Sequence, residues 1–281
     1  MKNKIFMSLL LGAMLLTACD DEAPMERSLY PETVYLVGAK DKIITRELNL
    51  GYDQDTVYAS VAVSGTLPTE KNVIAEVEQI PEAILRYNDR ELGTNDVLYQ
   101  NLPADIYSIP DPAVTVPAGE PYGTLPIYIE PATLHVDSLY MIALKLKSTS
   151  DFALTKTDTV VLMKFNIVNE YSGLYYMDAI IKDVANPSDS VTYKTSRNLQ
   201  AVRDGRTVRM YHMQNEWSKG ATDYRPNYCF NITVNDDNTV SLSTWDKFKI
   251  LGYEGVYHPD MKVYELWYKF CLLYTSPSPR D

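Results

Sequence analysis

Positive charge, cysteine, histidine and long apolar runs are all scarce in this chain, and each shortage removes a class of function. Lys and Arg total 26 against 37 Asp and Glu, giving a formal charge of -11. A phosphate backbone is repelled by such a surface, so nucleic acid is not expected as a partner. The three cysteines, Cys19, Cys229 and Cys271, supply no disulfide framework, and stability must come from packing. The three histidines, His135, His212 and His258, lie far apart and fall in no ligand or triad pattern, which leaves them structural roles. There is no Gly-rich phosphate loop, no His-Glu-x-x-His and no paired Cys-x-x-Cys, so neither a cofactor nor a metal is expected. Asp53 with Asp55, and Asp236 with Asn238, lack the full ligand series of a calcium loop and read as turn residues. Glu216, Glu254, Asp260 and Glu265 are available for glycoside hydrolysis, but no spacing marks any two as the required pair. The expectation is a non-catalytic protein, the less favoured alternative being a glycan-active enzyme whose catalytic residues lie in a missing C-terminal part.

One apolar run does exist, from Ile5 to Leu16, preceded by Lys2 and Lys4. It is too short to span a bilayer and has the length of a secretory leader's apolar region. It ends in Leu16-Thr17-Ala18-Cys19, a leucine three residues before a cysteine with small residues between. This resembles the lipobox of bacterial lipoproteins, which implies cleavage after residue 18, acylation of Cys19, and a membrane anchor. Loss of Lys2 and Lys4 with the leader would make the mature chain more acidic by two charges. The following Asp20-Asp21-Glu22 resembles the surface-export signal of Bacteroides-type lipoproteins. An Asp after the lipidated cysteine also resembles an inner-membrane retention signal in enterobacteria, and the acidic run as a whole favours export. Residues 19–30 then form an acidic tether, of which Asp20 to Tyr30 reaches at most about 35 Å.

From Thr33 onward, short alternating runs are separated by turn residues. Thr33 to Val37, the rows Val57, Ala59, Val61 and Val63, then Val73, Ala75 and Val77, and later Leu125, Ile127 and Ile129 all follow the period of two of a half-buried strand. Pro81 to Leu92 reads as a short helical or irregular crossing. Leu139 to Leu146 is apolar on both sides, which predicts a central strand. Roughly eight strands by residue 168 have the density of an antiparallel sandwich. The opening strand Thr33 to Gly38, Tyr99-Gln-Asn-Leu-Pro103, Val114 to Gly119, Pro126 to Ile129, and Asp137 to Leu146 come in an order that resembles one family. It is the immunoglobulin-like domain of unknown function that opens many Bacteroides-type surface lipoproteins of polysaccharide-utilisation loci. The resemblance implies a sandwich over residues 31–168 that spaces or handles glycan, and it carries no catalytic residue.

Asn169-Glu-Tyr-Ser-Gly173 interrupts the alternation and marks a boundary. Beyond it, Gln200 to Arg209 reads as a hairpin with Asp204-Gly205 as a two-residue turn of positive φ. Tyr228, Phe230, Ile232 and Val234 alternate, Asn235 to Asn238 turns, and Val263 to Phe270 is a last strand. The expected fold class is all-β, an immunoglobulin-like β-sandwich followed over residues 169–270 by an antiparallel meander, barrel-like if it closes. Tyr171-Ser-Gly-Leu-Tyr175 resembles the opening of the calycin-like partner domain in the same lipoprotein family. Residues 271–281 match one reading frame of a sequencing-library adapter and are set aside, with the natural protein expected to continue past Phe270.

The three tryptophans, Trp217, Trp245 and Trp267, all fall in the second half. Aromatic rings stack on the C–H faces of sugars while Asp, Asn and Arg bond hydroxyls. Trp217 with Tyr224, Arg225 and Asn227, and Tyr253 with Tyr257, are therefore the candidate glycan contacts, read as two loop clusters. Trp217 stands first because Glu216 to Gly220 looks like loop, whereas Trp267 reads as strand packing. Together these readings give the expectation of an outer-membrane lipoprotein facing the exterior, binding a polysaccharide or oligosaccharide beside an outer-membrane transporter. The alternative is an adhesive or structural module with a protein partner.

Overall fold

The computed structural model describes residues 30–39, 43–157, 159–202, 204–212 and 223–271. Among these, no helix is long and apolar enough to cross a membrane. The first unit opens with β1 (Thr33–Leu36), β2 (Ile43–Asn49), β3 (Asp55–Val63) and β4 (Val73–Gln79), then a helix, α1 (Glu82–Glu91). It continues with β5 (Tyr99–Asn101), β6 (Tyr107–Ser108), β7 (Ala113–Val116) and β8 (Tyr122–Ile129), and ends with β9 (Leu139–Thr149), β10 (Ala153–Leu154) and β11 (Val160–Val168). Two sheets result, ordered β10-β1-β3-β8-β6 and β2-β11-β9-β4-β7, with β5 beside β9. The strand count exceeds the eight expected because β5, β6 and β10 are two or three residues long and too short to show a period.

Alternation places the inward residues of both sheets in one core. Val57, Ala59 and Val61 of β3 and Leu125, Ile127 and Ile129 of β8 meet Val73, Ala75 and Val77 of β4 there. β9 is central, between β11 and β4, and is buried on both faces. Tyr140, Ile142, Leu144 and Leu146 join the sandwich core, while Met141 and Ala143 lie under α1. The crossing is helical because Ile80, Ala83, Ile84 and Tyr87 recur at three- and four-residue steps and cover that outer face. Pro81 stands at its start, where a missing N–H costs nothing. The buried Asn88 amide donates to the Tyr99 carbonyl at 2.8 Å and accepts the Tyr99 N–H at 3.1 Å, tying β5 to the helix.

The second unit is a meander. Its strands are β12 (Gly173–Lys182), β13 (Ser190–Ala201), β14 (Thr207–Tyr211), β15 (Cys229–Val234), β16 (Val240–Thr244), β17 (Lys249–His258) and β18 (Val263–Cys271), with a short helix, α2 (Arg225–Tyr228), before β15. β12 to β16 form one sheet in sequence order, and β17 and β18 form a hairpin joined to it by a bridge between Thr239 and Val256. The inner faces share a core that includes Val208, Phe230, Ile232, Phe248 and Tyr257, packed against Tyr264, Leu266, Tyr268 and Phe270 of β18. Among the described residues, the outer edges of β12 and β18 carry no partner strand, so the curled sheet stays open at that seam.

The β13–β14 connection differs from the expected two-residue turn. Gly205 is not among the residues of positive φ. The Asp204 carboxylate instead accepts the N–H groups of Arg206 at 2.9 Å and Thr207 at 2.7 Å, an Asx-type turn. Glycine is needed there for another reason: a Cβ on Gly205 would stand 2.6 Å from the Cα of Gly51 in the first unit. Asp55 likewise serves a turn, accepting from the N–H groups of Asn49 and Thr56.

Candidate functional site

The two units meet through a polar layer on the outer face of the second unit's sheet. Val208 and Met210 face the core, so alternation turns Thr207, Arg209 and Tyr211 to the opposite side of β14. There the Arg209 guanidinium lies 4.2 Å from the centre of the Trp245 ring. Its Nη1 donates to Asp137 at 3.1 Å, and its Nη2 donates to Asp137 and, at 2.7 Å, to the Gln200 side-chain oxygen. Arg225, opening α2, donates to the same Asp137 and to Asp223 at 2.9 Å. One carboxylate from the loop before β9 is thus held between two guanidiniums of the other unit. Forked, charge-assisted bonds of this kind fix geometry as well as energy. Burial pushes the Asp137 carboxyl up, but hydrogen bonding from Arg209 and the charges of Arg209 and Arg225 outweigh it and hold the group below its ordinary range. Gln200 adds a 2.9 Å bond to the Val136 carbonyl, and Asn169 donates to the carbonyls of Asp204 and Thr207 at 3.1 and 2.8 Å.

Beside this network lies a cleft of about 440 Å³ between the units, lined by Asp137 and Leu139 from one and by Asn198, Gln200, Arg209, Tyr211 and Arg225 from the other. Asn198 is exposed, while the Tyr211 hydroxyl is buried without a hydrogen-bond partner. Cys229 also lines it, and burial pushes its thiol up to about 12, which keeps it protonated and unreactive. A second cavity, about 550 Å³, follows the open seam between β12 and β18. Its wall includes Tyr175, Tyr264 and Tyr268. The Tyr175 hydroxyl donates to the Tyr171 carbonyl at 3.0 Å, and the Tyr268 hydroxyl lies 3.0 Å from His212 Nδ1. Burial raises the Tyr175 phenol to about 12 and, with the Arg197 charge, lowers His212 to about 4, so both rings are neutral at neutral pH.

The sequence candidates fall in different places. Cys19 and Trp217 lie outside the described residues. Arg225 lines the cleft but is committed to Asp137 and Asp223, and its neighbours Tyr224, 46% exposed, and Asn227 are open to solvent. The second cluster is not a loop, because Tyr253 and Tyr257 both belong to β17. Tyr257 is 2% exposed and packs edge-on against Tyr171, with its ring 4.7 Å from that of Tyr264, so it is core rather than a sugar contact. Tyr253 keeps 45% exposure. Trp267 reverses its expected role: it is 61% exposed. The signal for this was present, since Trp267 shares its parity along the strand with Glu265 and Lys269 rather than with Leu266 and Tyr268.

Residues 30–153 match a family described as an N-terminal domain, and residues 159–278 match its companion, described as C-terminal. The chain belongs to this two-domain family. The second match begins at β11, which the sheet pairing gives to the sandwich, and runs past Phe270 into the segment read as adapter. No curated protein matches the sequence. Among solved structures, a structural-genomics protein of unknown function from Bacteroides ovatus aligns with TM-score 0.61 at 18% identity, over 80% of this chain and 78% of that one. A multidomain protein including DUF1735, also from Bacteroides ovatus, aligns with TM-score 0.56 at 18% identity, over 78% and 73%. An auxiliary nutrient binding protein from Bacteroides thetaiotaomicron VPI-5482 aligns with TM-score 0.56 at 15% identity, over 78% and 77%. At these identities the likeness is one of fold.

Proposed function

We propose that this protein is a non-catalytic nutrient-binding accessory, anchored through Cys19 to the outer membrane with its body facing the exterior, and that it holds a glycan for an outer-membrane transporter. The observation that carries the reading is the cleft between the two units, where Asn198, Gln200 and Tyr211 stand beside a fixed Arg209–Asp137–Arg225 network. The exposed Asn198 amide both donates and accepts, which suits ligands whose hydroxyls do the same. The volume falls within the roughly 300–1,000 Å³ of small-molecule sites, and junctions between domains are common places for them. Two features oppose catalysis. Among the described residues the lining offers Asp137 as its carboxylate, whereas glycoside hydrolysis uses two, and its flanking guanidiniums keep it ionised and a poor proton donor. The fold shared with a nutrient-binding protein supports the same class.

Titration calorimetry of the whole chain against a set of neutral oligosaccharides tests the reading. Binding is expected for at least one, with Asn198→Ala weakening it about tenfold through a lost hydrogen bond. If no oligosaccharide binds, the cleft is not the glycan site. Anchoring is tested separately by palmitate labelling, which Cys19→Ala must abolish, and surface exposure by protease treatment of intact cells. The edges of β12 and β18, which carry no partner strand among the described residues, favour a second reading, a structural module that adds a partner's strand. A strand-derived partner peptide bound in place of any sugar would establish it.

A further inference from the structure

The solvent face of the β17–β18 hairpin carries an indole that is not part of the core. Tyr264, Leu266, Tyr268 and Phe270 point to the core, so Glu265, Trp267 and Lys269 occupy the opposite face. At 61% exposure Trp267 leaves most of a large apolar ring in water. The register sets Glu254 directly across from it and Lys269 across from Gly252. A Cβ on Gly252 would stand 3.9 Å from the Cζ3 atom of the indole, so the ring reaches over the neighbouring strand at a position that carries no side chain. An aromatic plane is thereby set on a rigid hairpin with charged hydrogen-bonding groups beside it.

We propose that Trp267 is a stacking platform for one ring of a neutral polysaccharide, with Glu254 and Lys269 bonding its hydroxyls. One exposed ring offers at most about 250 Å² of contact, far short of the roughly 800 Å² per partner that a stable protein interface buries. The nearest residues across and along the strands, Glu254, Glu265 and Lys269, are charged rather than apolar, which also disfavours a protein contact. A polyanionic chain is opposed by the two carboxylates and by the net charge of -11. Trp267 lines neither the cleft nor the seam cavity, so its use is to hold an extended chain that gains avidity from a second contact on the same molecule. This rests on the reading of the protein as a glycan binder but concerns a surface apart from the cleft.

Affinity electrophoresis of the whole chain in gels containing amylopectin, laminarin, galactomannan or arabinoxylan tests it, with far-UV circular dichroism as a check on folding. The wild type is expected to be retarded by at least one of these. Trp267→Ala should weaken that retardation at least tenfold, and Trp267→Phe by only a few fold. Gly252→Val, whose methyls would push the indole aside, should behave like Trp267→Ala. If Trp267→Ala is retarded as strongly as the wild type, the platform is overturned and the cleft reading stands. If no polysaccharide retards the wild type and no oligosaccharide binds it in calorimetry, the functional reading is overturned and the platform with it.

Discussion

The two halves of the molecule spend their interiors differently. The sandwich core is dominated by Val, Leu, Ile and Ala, and its buried polar side chains, Thr69 and Asn88, do not titrate. The second unit buries Arg197, Arg209 and His212 together with Asn231 and Thr207, and its apolar core is rich in Tyr and Phe. Aliphatic burial is non-directional and tolerates small shifts, whereas a buried polar layer is stable only when every member keeps its partner. The contrast assigns the halves different work: the sandwich supplies stability, and the second unit holds the geometry that fixes the junction and its cleft.

Breaking the junction should have the largest effect. Arg209→Ala leaves Asp137 partly buried with Arg225 as its remaining charge partner, and losses of this kind run to about 3–5 kcal/mol. All three tryptophans lie in the second half, so their fluorescence reports that half while far-UV dichroism reports both. In urea the variant should show a fluorescence transition well before the dichroism one, and Asp137→Ala in the same chain should recover part of the loss. Coincident transitions, with less than about 1 kcal/mol lost, would remove the junction from the account.

Acid should separate the halves next. Burial, aided by the Arg197 charge, lowers the His212 pKa from its ordinary 6.5 to about 4. Neutral His212 is the folded form, so its contribution is present above pH 6.5 and is lost as pH falls toward about 4, where the unfolded chain binds the extra proton. The loss is about 3 kcal/mol across that window. Asp137, held below its ordinary range, adds a second loss at lower pH still. Fluorescence should therefore fall before dichroism in an acid titration, and His212→Phe should flatten the stability slope between about pH 6.5 and 4 whatever it costs at neutral pH. An unchanged slope would mean that the histidine is not what acid attacks.

Much of this was legible in the residues themselves. Alternation found the long strands, the two-sided apolar run found β9 as the central strand, and the order of segments pointed to the two-domain family. What escaped depended on pairs distant in sequence. Arg225 looked like a sugar contact because its partner Asp137 stands 88 residues away, and Tyr257 looked like loop because the bulge between Ile250 and Gly252 hid the continuity of β17. Trp267 departs from expectation for a different reason. Hydrophobicity points a large apolar residue in a strand inward, whereas its charged neighbours of the same parity, Glu265 and Lys269, point outward, and the parity prevails.

The smallest expected effect sharpens the comparison most, because it touches neither core. Gly205→Ala adds a single methyl where the β13–β14 turn meets Gly51 of the sandwich, 2.6 Å from a backbone carbon that has no flexible end to move. The backbone of Gly205 is not of positive φ, so the substitution introduces contact without conformational strain. Overpacking of this kind costs about 1–3 kcal/mol. Here the units can relieve it by parting slightly, which should keep the cost near the lower end and place it in the coupling between them. The expected result is a small separation of the fluorescence and dichroism transitions in urea, in the same direction as for Arg209→Ala. Gly51→Ala, whose Cβ would lie 3.1 Å from the Asn49 side-chain oxygen and 3.5 Å from Gly205 Cα, should do less. If both variants unfold with coincident transitions at wild-type stability, the turn and the sandwich are not in contact in solution, and the fixed junction would have to rest on the Asp137 network alone.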